Sequence, residues 1–308
     1  MPEPVFQPVG PAGPQVFGIP IQRDIIFSNH KGVYKKRIEK RQRKLFVKIP
    51  FLKQFLQRGE KILLVSTGYA PLGSWAQYLT GFLFSYLKRS VFVFTNYRIF
   101  HVPTTPGYTY KNSLSQIIYA GCESITLKRG TLTVHYAKFG RVEKFRSIAL
   151  AERKKIKALL QKTIPVSGTK PQFAARTHLC PRCTHGLKPG KYICDNCRLG
   201  FKSKILTALL AVIIPGGGYF YTRYYLVGII DAVIELFFLV VAAVSFIDFR
   251  SGLQDSLPYA AVAAAVFVIV KIIFTVHAAH LTQDFIPKDK KIKPMSVDLQ
   301  IDGAPFKL

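Results

Sequence analysis

Hydrophobic and polar positions change texture sharply along this chain. Leu226–Phe249 and Leu257–His280 are almost unbroken apolar runs of about 24 residues each. As helices each would measure roughly 36 Å, enough to cross a bilayer with some tilt. The short link Arg250–Ser256 predicts an antiparallel helical hairpin, and Ala260, Ala261, Ala263, Ala264 and Ala265 would allow close helix approach. Ile205–Ile214 is also apolar, but ten residues reach only about 15 Å, half the hydrocarbon core. Pro215-Gly216-Gly217-Gly218 breaks it, and the aromatic stretch Tyr219–Tyr225, with Arg223, suits a headgroup interface. A re-entrant or interfacial segment is expected there, with a third crossing as the alternative.

The region before these runs reads as strands. Lys61–Thr67 and Ser90–Val102 are rich in β-branched and aromatic residues, with Thr95-Asn96 as a turn inside the second run. Ser124–Lys128 and Thr131–Ala137 flank Arg129-Gly130, a tight hairpin signal, and Arg141–Ser147 adds another strand. Ala149–Thr163 carries Ala149, Ile156, Leu159 and Leu160 at helical spacing, with Pro165 beyond its end. Trp75–Leu87, an apolar run followed by Lys88 and Arg89, is too short to span a membrane. It is expected either to pack on its own domain or to lie in the membrane interface.

The run VFVFTNYRIFHV, the hairpin strands and the closing helix together resemble bacterial pleckstrin-homology-like and GRAM-like domains. Phe94, Thr95, Asn96, Arg98 and Ile99 match an element common in their second and third strands. The resemblance covers roughly 100 residues and implies a bent β-barrel capped by one helix, often found near membranes. It carries over no catalytic residue. Pro215, Gly216, Gly218, Phe220, Tyr221 and Arg223 resemble the loop of small bacterial TM2-like membrane modules, a likeness of about 45 residues.

Charge adds a location. Lys and Arg number 44 against 16 Asp and Glu, a formal net charge of +28. Between residues 31 and 58 the candidates for anion or membrane-surface binding are Lys35, Lys36, Arg37, Lys40, Arg41, Arg43 and Lys44. Such a cluster attracts anionic lipid or nucleic acid, at about 1 kcal/mol per cation near an anionic membrane; a merely solvated helix is the bland alternative. Basic residues before the apolar half and after it, at Lys288, Lys290, Lys291 and Lys293, put both flanks on the cytosolic side by the positive-inside rule. Within the helices, Asp231 and Glu235 share a face, and Glu235 and Lys271 lie at similar depth in an antiparallel hairpin. An intramembrane Glu235–Lys271 ion pair is expected, because an isolated charge there is costly.

Cysteine spacing supplies the candidate chemistry. Cys180, Cys183, Cys194 and Cys197 form C-x2-C-x10-C-x2-C. Each C-x2-C turn can aim two thiolates at one ion, and two turns complete a closed four-sulfur tetrahedron. The segment resembles zinc-ribbon modules, with Pro181, Leu187, Pro189, Gly190 and Tyr192 fitting and Thr184 and Leu199 departing from other copies. That implies structural Zn2+, with a rubredoxin-like iron or a metal-free dithiol pair as alternatives. His178 and His185 lie close by but are not needed as ligands. Cys122 has no partner at metal spacing and reads as a small buried residue. Met1–Pro20 is proline-rich without lysine, arginine or an apolar core, so no secretory signal is expected and the thiols belong in a reducing compartment.

The expected organisation is a multidomain α+β protein with a membrane part. A disordered arm (1–30) and a basic helical segment (31–58) precede a PH-like β-barrel with its C-terminal helix (59–165). A linker (166–177) leads to a four-cysteine zinc ribbon (178–201). The membrane domain (204–282) comprises a short segment (205–225) and transmembrane helices at 226–249 and 257–280, and a basic tail (283–308) follows. No phosphate loop, nucleophile elbow or H-E-x-x-H occurs, so an enzyme is not expected. The expected function is a scaffold or adaptor of the cytoplasmic membrane, binding membrane lipids or a protein partner. A membrane-tethered nucleic-acid-binding or regulatory factor is the alternative.

Overall fold

The computed structural model describes residues 15–16, 18–70, 88–138, 140–162, 176–251, 256–289 and 292. The run Trp75–Leu87, most of the proline-rich arm, nearly all of the linker and most of the C-terminal tail lie outside these residues. The chain divides into two compact units. The first takes Met1–Lys188, Cys194–Arg198 and Lys291–Leu308, and the second takes Pro189–Ile193 and Leu199–Lys290.

The first unit is built on two antiparallel sheets. Strands β3 (Ile62–Tyr69), β4 (Arg89–Thr95), β5 (Arg98–Pro103) and β6 (Leu114–Ile118) pair in chain order. Strands β7 (Cys122–Lys128), β8 (Thr131–Tyr136) and β9 (Val142–Phe145) form the second sheet, and helix α3 (Leu150–Lys162) follows. The expected β7–β8 turn is present, with both Arg129 (φ 48°) and Gly130 (φ 83°) left-handed, as a type I′ hairpin requires. A bridge between Tyr69 and Arg146 joins the two sheets at one corner. Among the described residues the ladders remain two sheets and do not close into a single barrel.

Both faces of the first sheet are covered. Leu64, Phe92, Phe94, Ile99 and Ile117 pack against Ile125, Leu132, Val134 and Phe145 of the second sheet and Ile156 and Leu159 of α3. On the opposite face Val65, Val91, Val93, Phe100 and Val102 meet Ile19, Ile26, Phe27, Phe46, Leu52 and Phe55. Two-sided burial explains why β4 and β5 read as continuous apolar runs, whereas β7 alternates buried and exposed positions. It also changes the role of the N-terminal segments. The short β1 (Gln15–Val16) and β2 (Ile19–Pro20), α1 (Arg23–Ile26), α2 (Lys36–Phe46) and a 3-10 turn (Pro50–Phe55) form a layer of the β domain, not a separate arm. Basic residues dominate α2 only because they occupy its outer face.

Helix α2 is held by its one buried amide. Gln42 donates from Nε2 to the Val65 carbonyl at 2.9 Å and accepts from the Val65 N–H at 3.0 Å, standing in for a neighbouring strand at the edge of β3. Further along that edge, Ala149 donates to the Thr67 carbonyl, and Tyr69 and Arg146 exchange two backbone bonds. Gln42→Leu strands a buried N–H and a buried C=O, at about 1–3 kcal/mol each. A loss of about 2–5 kcal/mol in thermal unfolding is therefore expected, while Lys44→Ala on the exposed face stays within about 0.5 kcal/mol. Lys155 of α3 holds the end of α1, donating to the carbonyls of Ile26 at 2.9 Å and Ser28 at 2.7 Å, and burial pushes its ammonium down to about 8.

The Thr-Asn-x-Arg element has a structural task here. Thr95 Oγ1 accepts the N–H groups of Tyr97 at 3.1 Å and Arg98 at 3.0 Å, closing the β4–β5 turn. Asn96 joins that turn to Gly59 and Lys61. The Arg98 guanidinium reaches both oxygens of the fully buried Glu60, at 3.0 and 2.7 Å, and the Phe55 carbonyl at 2.7 Å.

The second unit is helical: α4 (Lys204–Ile213), α5 (Gly217–Tyr221), α6 (Tyr225–Arg250) and α7 (Ser256–Leu281). Helices α6 and α7, 26 residues each, are long and apolar enough to cross a membrane, and most of their surface is exposed, unlike that of a buried core helix. Of the predicted small contacts, Ala260 and Ala263 are buried, whereas Ala261, Ala264 and Ala265 are exposed. Helix α4 begins at a Ser203 cap and is too short to cross. At Gly216 (φ 68°) the chain folds back, and a Cβ there would collide with the Gly228 carbonyl. Helix α5 then returns far enough for the Lys202 ammonium to bond the Tyr221 carbonyl. The entry and exit of this unit also meet: Lys202 donates to the Ile286 carbonyl at 2.9 Å, Lys288 donates to that of Gly200 at 3.0 Å, and Arg223 donates to that of Lys288 at 2.5 Å.

Candidate metal centre and charged clusters

The cysteine centre grows out of a strand that crosses the predicted boundary between linker and ribbon. Strand β10 (Arg176–Leu179) pairs with β6 on one side and with β11 (Gly186–Leu187) on the other, extending the first sheet to the order β11-β10-β6-β5-β4-β3. Arg176 anchors its start, reaching Glu143 of β9 at 2.6 Å and lying 5.8 Å over the Phe145 ring. Cys180 follows β10 directly, and its N–H donates to the His185 carbonyl at 2.8 Å. The turns close when Thr184 donates to the Cys180 carbonyl and Arg198 to that of Cys194. Both Thr184 (φ 61°) and Arg198 (φ 57°) are left-handed. The residue that bears the strain after the second pair is thus Arg198, not Leu199, because the turn places the left-handed residue directly after its second cysteine.

All four sulfurs lie within 4.8 Å of one another, and every cysteine is free. Cys180 and Cys197 Sγ are 3.5 Å apart, and Cys183 and Cys194 Sγ are 3.6 Å apart. A tetrahedral ion with metal–sulfur bonds of about 2.3 Å sets its sulfurs about 3.8 Å apart. Disulfide sulfurs approach to about 2.05 Å, so this arrangement suits an ion and not a bridge. Cys180 and Cys194 are buried, with Cys183 and Cys197 half-buried. Burial pushes the Cys180 and Cys183 thiols up, the latter to about 11, whereas for Cys194 burial is outweighed by N–H donors from Cys197 and Asn196. His178 and His185 are half-buried beside a donor set that four thiolates already complete.

No family model, curated protein or solved structure matches this chain.

The basic cluster resolves into two groups. Arg41 is drawn inward to Glu152 at 2.6 Å, and Arg43 pairs with Glu39 at 2.8 Å. Lys35, Lys36, Arg37, Lys40 and Lys44 are exposed, and no ion pair involves them among the described residues. Residues Gln42 and Phe46 fix the opposite face of the helix, so these cations sit on a rigid element.

Within the helical unit the structure brings Glu235 and Lys271 together, with Nζ 2.6 Å from Oε2 and the carboxylate 1% exposed. Asp231, one turn earlier, is also buried. Tyr219, from the folded-back α5, bonds its hydroxyl to His277 Nδ1 at 2.8 Å. That pairing was not legible in the sequence. Only the return of α5 toward α7 brings residues so far apart in the chain into contact.

Proposed function

We propose that this protein is a membrane-anchored adaptor: a PH-like domain carrying a structural zinc ribbon, held to the cytoplasmic membrane by a two-crossing helical hairpin. The order of four strands, three strands and a helix supports the PH-like reading, as does the wiring of Thr95, Asn96 and Arg98 into the β4–β5 turn. A closed four-thiolate shell of this spacing suits Zn2+ in a structural role, since no coordination position stays open. The meeting of Lys202, Arg223 and Lys288 where the helical unit begins and ends supports an even number of crossings with that side cytosolic. In this reading α4 and α5 form a re-entrant hairpin entered and left from the same side.

The observation that carries the function is the row of exposed cations on α2 that make no ion pair among the described residues. Lys36, Arg37, Lys40 and Lys44 present a fixed positive face, matched to anionic lipid headgroups, and a protein partner with an acidic surface is the second occupant this face would accept. The test uses the full chain in phosphatidylcholine nanodiscs, mixed with vesicles with or without phosphatidylserine. Binding only to the anionic vesicles is expected. Replacing the four residues by alanine removes about 1 kcal/mol each, so affinity falls by roughly three orders of magnitude. Tight salt-dependent binding to duplex DNA or RNA, with no binding to anionic vesicles, would establish the nucleic-acid reading instead.

A further inference from the structure

The helical unit contains a buried polar cluster whose charges do not balance. Asp231 and Glu235 project from α6, Lys271 and His277 from α7, and Tyr219 from α5. Helix α4 adds no titratable group, since its one such residue, Lys204, is exposed at its start. Lys271 neutralises Glu235 at 2.6 Å, and Tyr219 engages His277 at 2.8 Å. Asp231 is left over. It is 3% exposed, and among the described residues its buried Oδ1 has no hydrogen-bond partner. It nevertheless lies near enough to Tyr219, Glu235 and Lys271 to interact with each electrostatically.

Depth sharpens the point. Glu235 and Lys271 each lie ten residues from the helix end nearest the start of the unit, about 15 Å in, and Asp231 lies about 9 Å in. The charged groups therefore run from that side as far as the middle of the helices, while the far halves of α6 and α7 hold no charged residue until Asp248 and Arg250 in the last turn of α6. With two carboxylates against one ammonium, which pairs with Glu235, Asp231 has no ion-pair partner among the described residues. A buried carboxylate oxygen without a donor, in a segment long enough to cross a membrane, calls for a counter-ion.

We infer that Asp231, with Tyr219 beside it and His277 holding the Tyr219 hydroxyl, forms a binding site for one small monovalent cation, a proton or Na+, reached from the side where the helical unit begins and ends. The occupant neutralises Asp231 and strengthens the seating of α5 against α6 and α7, so cation binding and the docking of the folded-back hairpin are linked. No bond other than that to the cation forms or breaks.

Infrared difference spectroscopy of the full chain in phosphatidylcholine vesicles tests this. One arm exchanges acidic for alkaline buffer with choline as the only other cation, and the second replaces choline by Na+ at constant alkaline pH. A carboxyl or carboxylate band that responds in the first arm identifies the proton, and one that responds in the second identifies Na+. Asp231→Asn, which keeps the side chain's size, is expected to erase that band while Glu152→Gln in the first unit leaves it. Tyr219→Phe, which releases His277, is expected to shift the midpoint at least about threefold in cation concentration. No cation-dependent carboxyl signal in the wild type overturns the inference, as does a signal that persists in Asp231→Asn. Should the Asn variant fail to fold, an unchanged midpoint in both Tyr219→Phe and His277→Gln overturns it equally.

Discussion

Cys180→Ser is expected to abolish metal binding at the four-cysteine centre and to loosen β10 from the first sheet. Four-thiolate structural sites bind Zn2+ with apparent free energies of about 10–16 kcal/mol in small modules near neutral pH. That matches or exceeds the net stability of a typical domain, about 5–15 kcal/mol. Within this unit the knuckle has little apolar core of its own, and Leu179 and Leu187 are its principal buried aliphatic side chains. An ion held there would set the path of the chain after Leu179, and β10 would pass that constraint to β6 through four paired positions. Hydrogen exchange should accelerate at Arg176–Leu179 and Leu114–Ile118 in the variant or after chelation, while β3 and β4 remain protected. Native mass spectrometry should find one ion in the wild type and in Cys122→Ala, whose thiol is buried away from the centre, and none in Cys180→Ser. A bound ion surviving in Cys180→Ser would show that the four sulfurs do not form the metal site.

Lys271→Met is expected to be the most damaging single change in the helical unit, and more damaging than Glu235→Gln. Removing one member of a buried pair leaves the other uncompensated, at about 3–5 kcal/mol. The two directions differ here because Asp231 lies one turn from Glu235. Without Lys271, two carboxylates face each other with no counter-charge from the protein. Without Glu235, Asp231 remains to balance the ammonium. The double variant should unfold later than Lys271→Met alone, with a coupling of about 2 kcal/mol or more, within the range seen for residues in contact. Thermal unfolding of the four proteins in phosphatidylcholine nanodiscs measures the cycle. Strictly additive losses would show that the 2.6 Å contact carries no energy.

Much of the first unit could be read from local chemistry. Arg129-Gly130 accepts a left-handed turn, so the hairpin it joins is found at its expected place. The regular spacing of Ile156 and Leu159 marked the helix after the second sheet. Strand β6 is hard to read although the left-handed Asn112 precedes it, because five residues are too short a run to show a period. The N-terminal layer is hidden in the sequence for a different reason. Its buried residues, Ile19, Ile26, Phe46, Leu52 and Phe55, are scattered among cations and prolines, and their common target is a sheet face that exists only after folding.

By itself the sequence determined the cysteine quartet, two helices of membrane-crossing length, the order of most strands and the excess of positive charge. Each is a local property, set by spacing, side-chain type or run length. Tertiary structure alone decided that β10 belongs to the first sheet, that Gln42 turns a basic helix into a fixed face, and that α5 folds back to bring Tyr219 to His277. Those outcomes depend on which backbone edges lack partners and which buried polar atoms find one. Contacts between residues so distant in the chain form wherever the assembled fold leaves such a group unsatisfied.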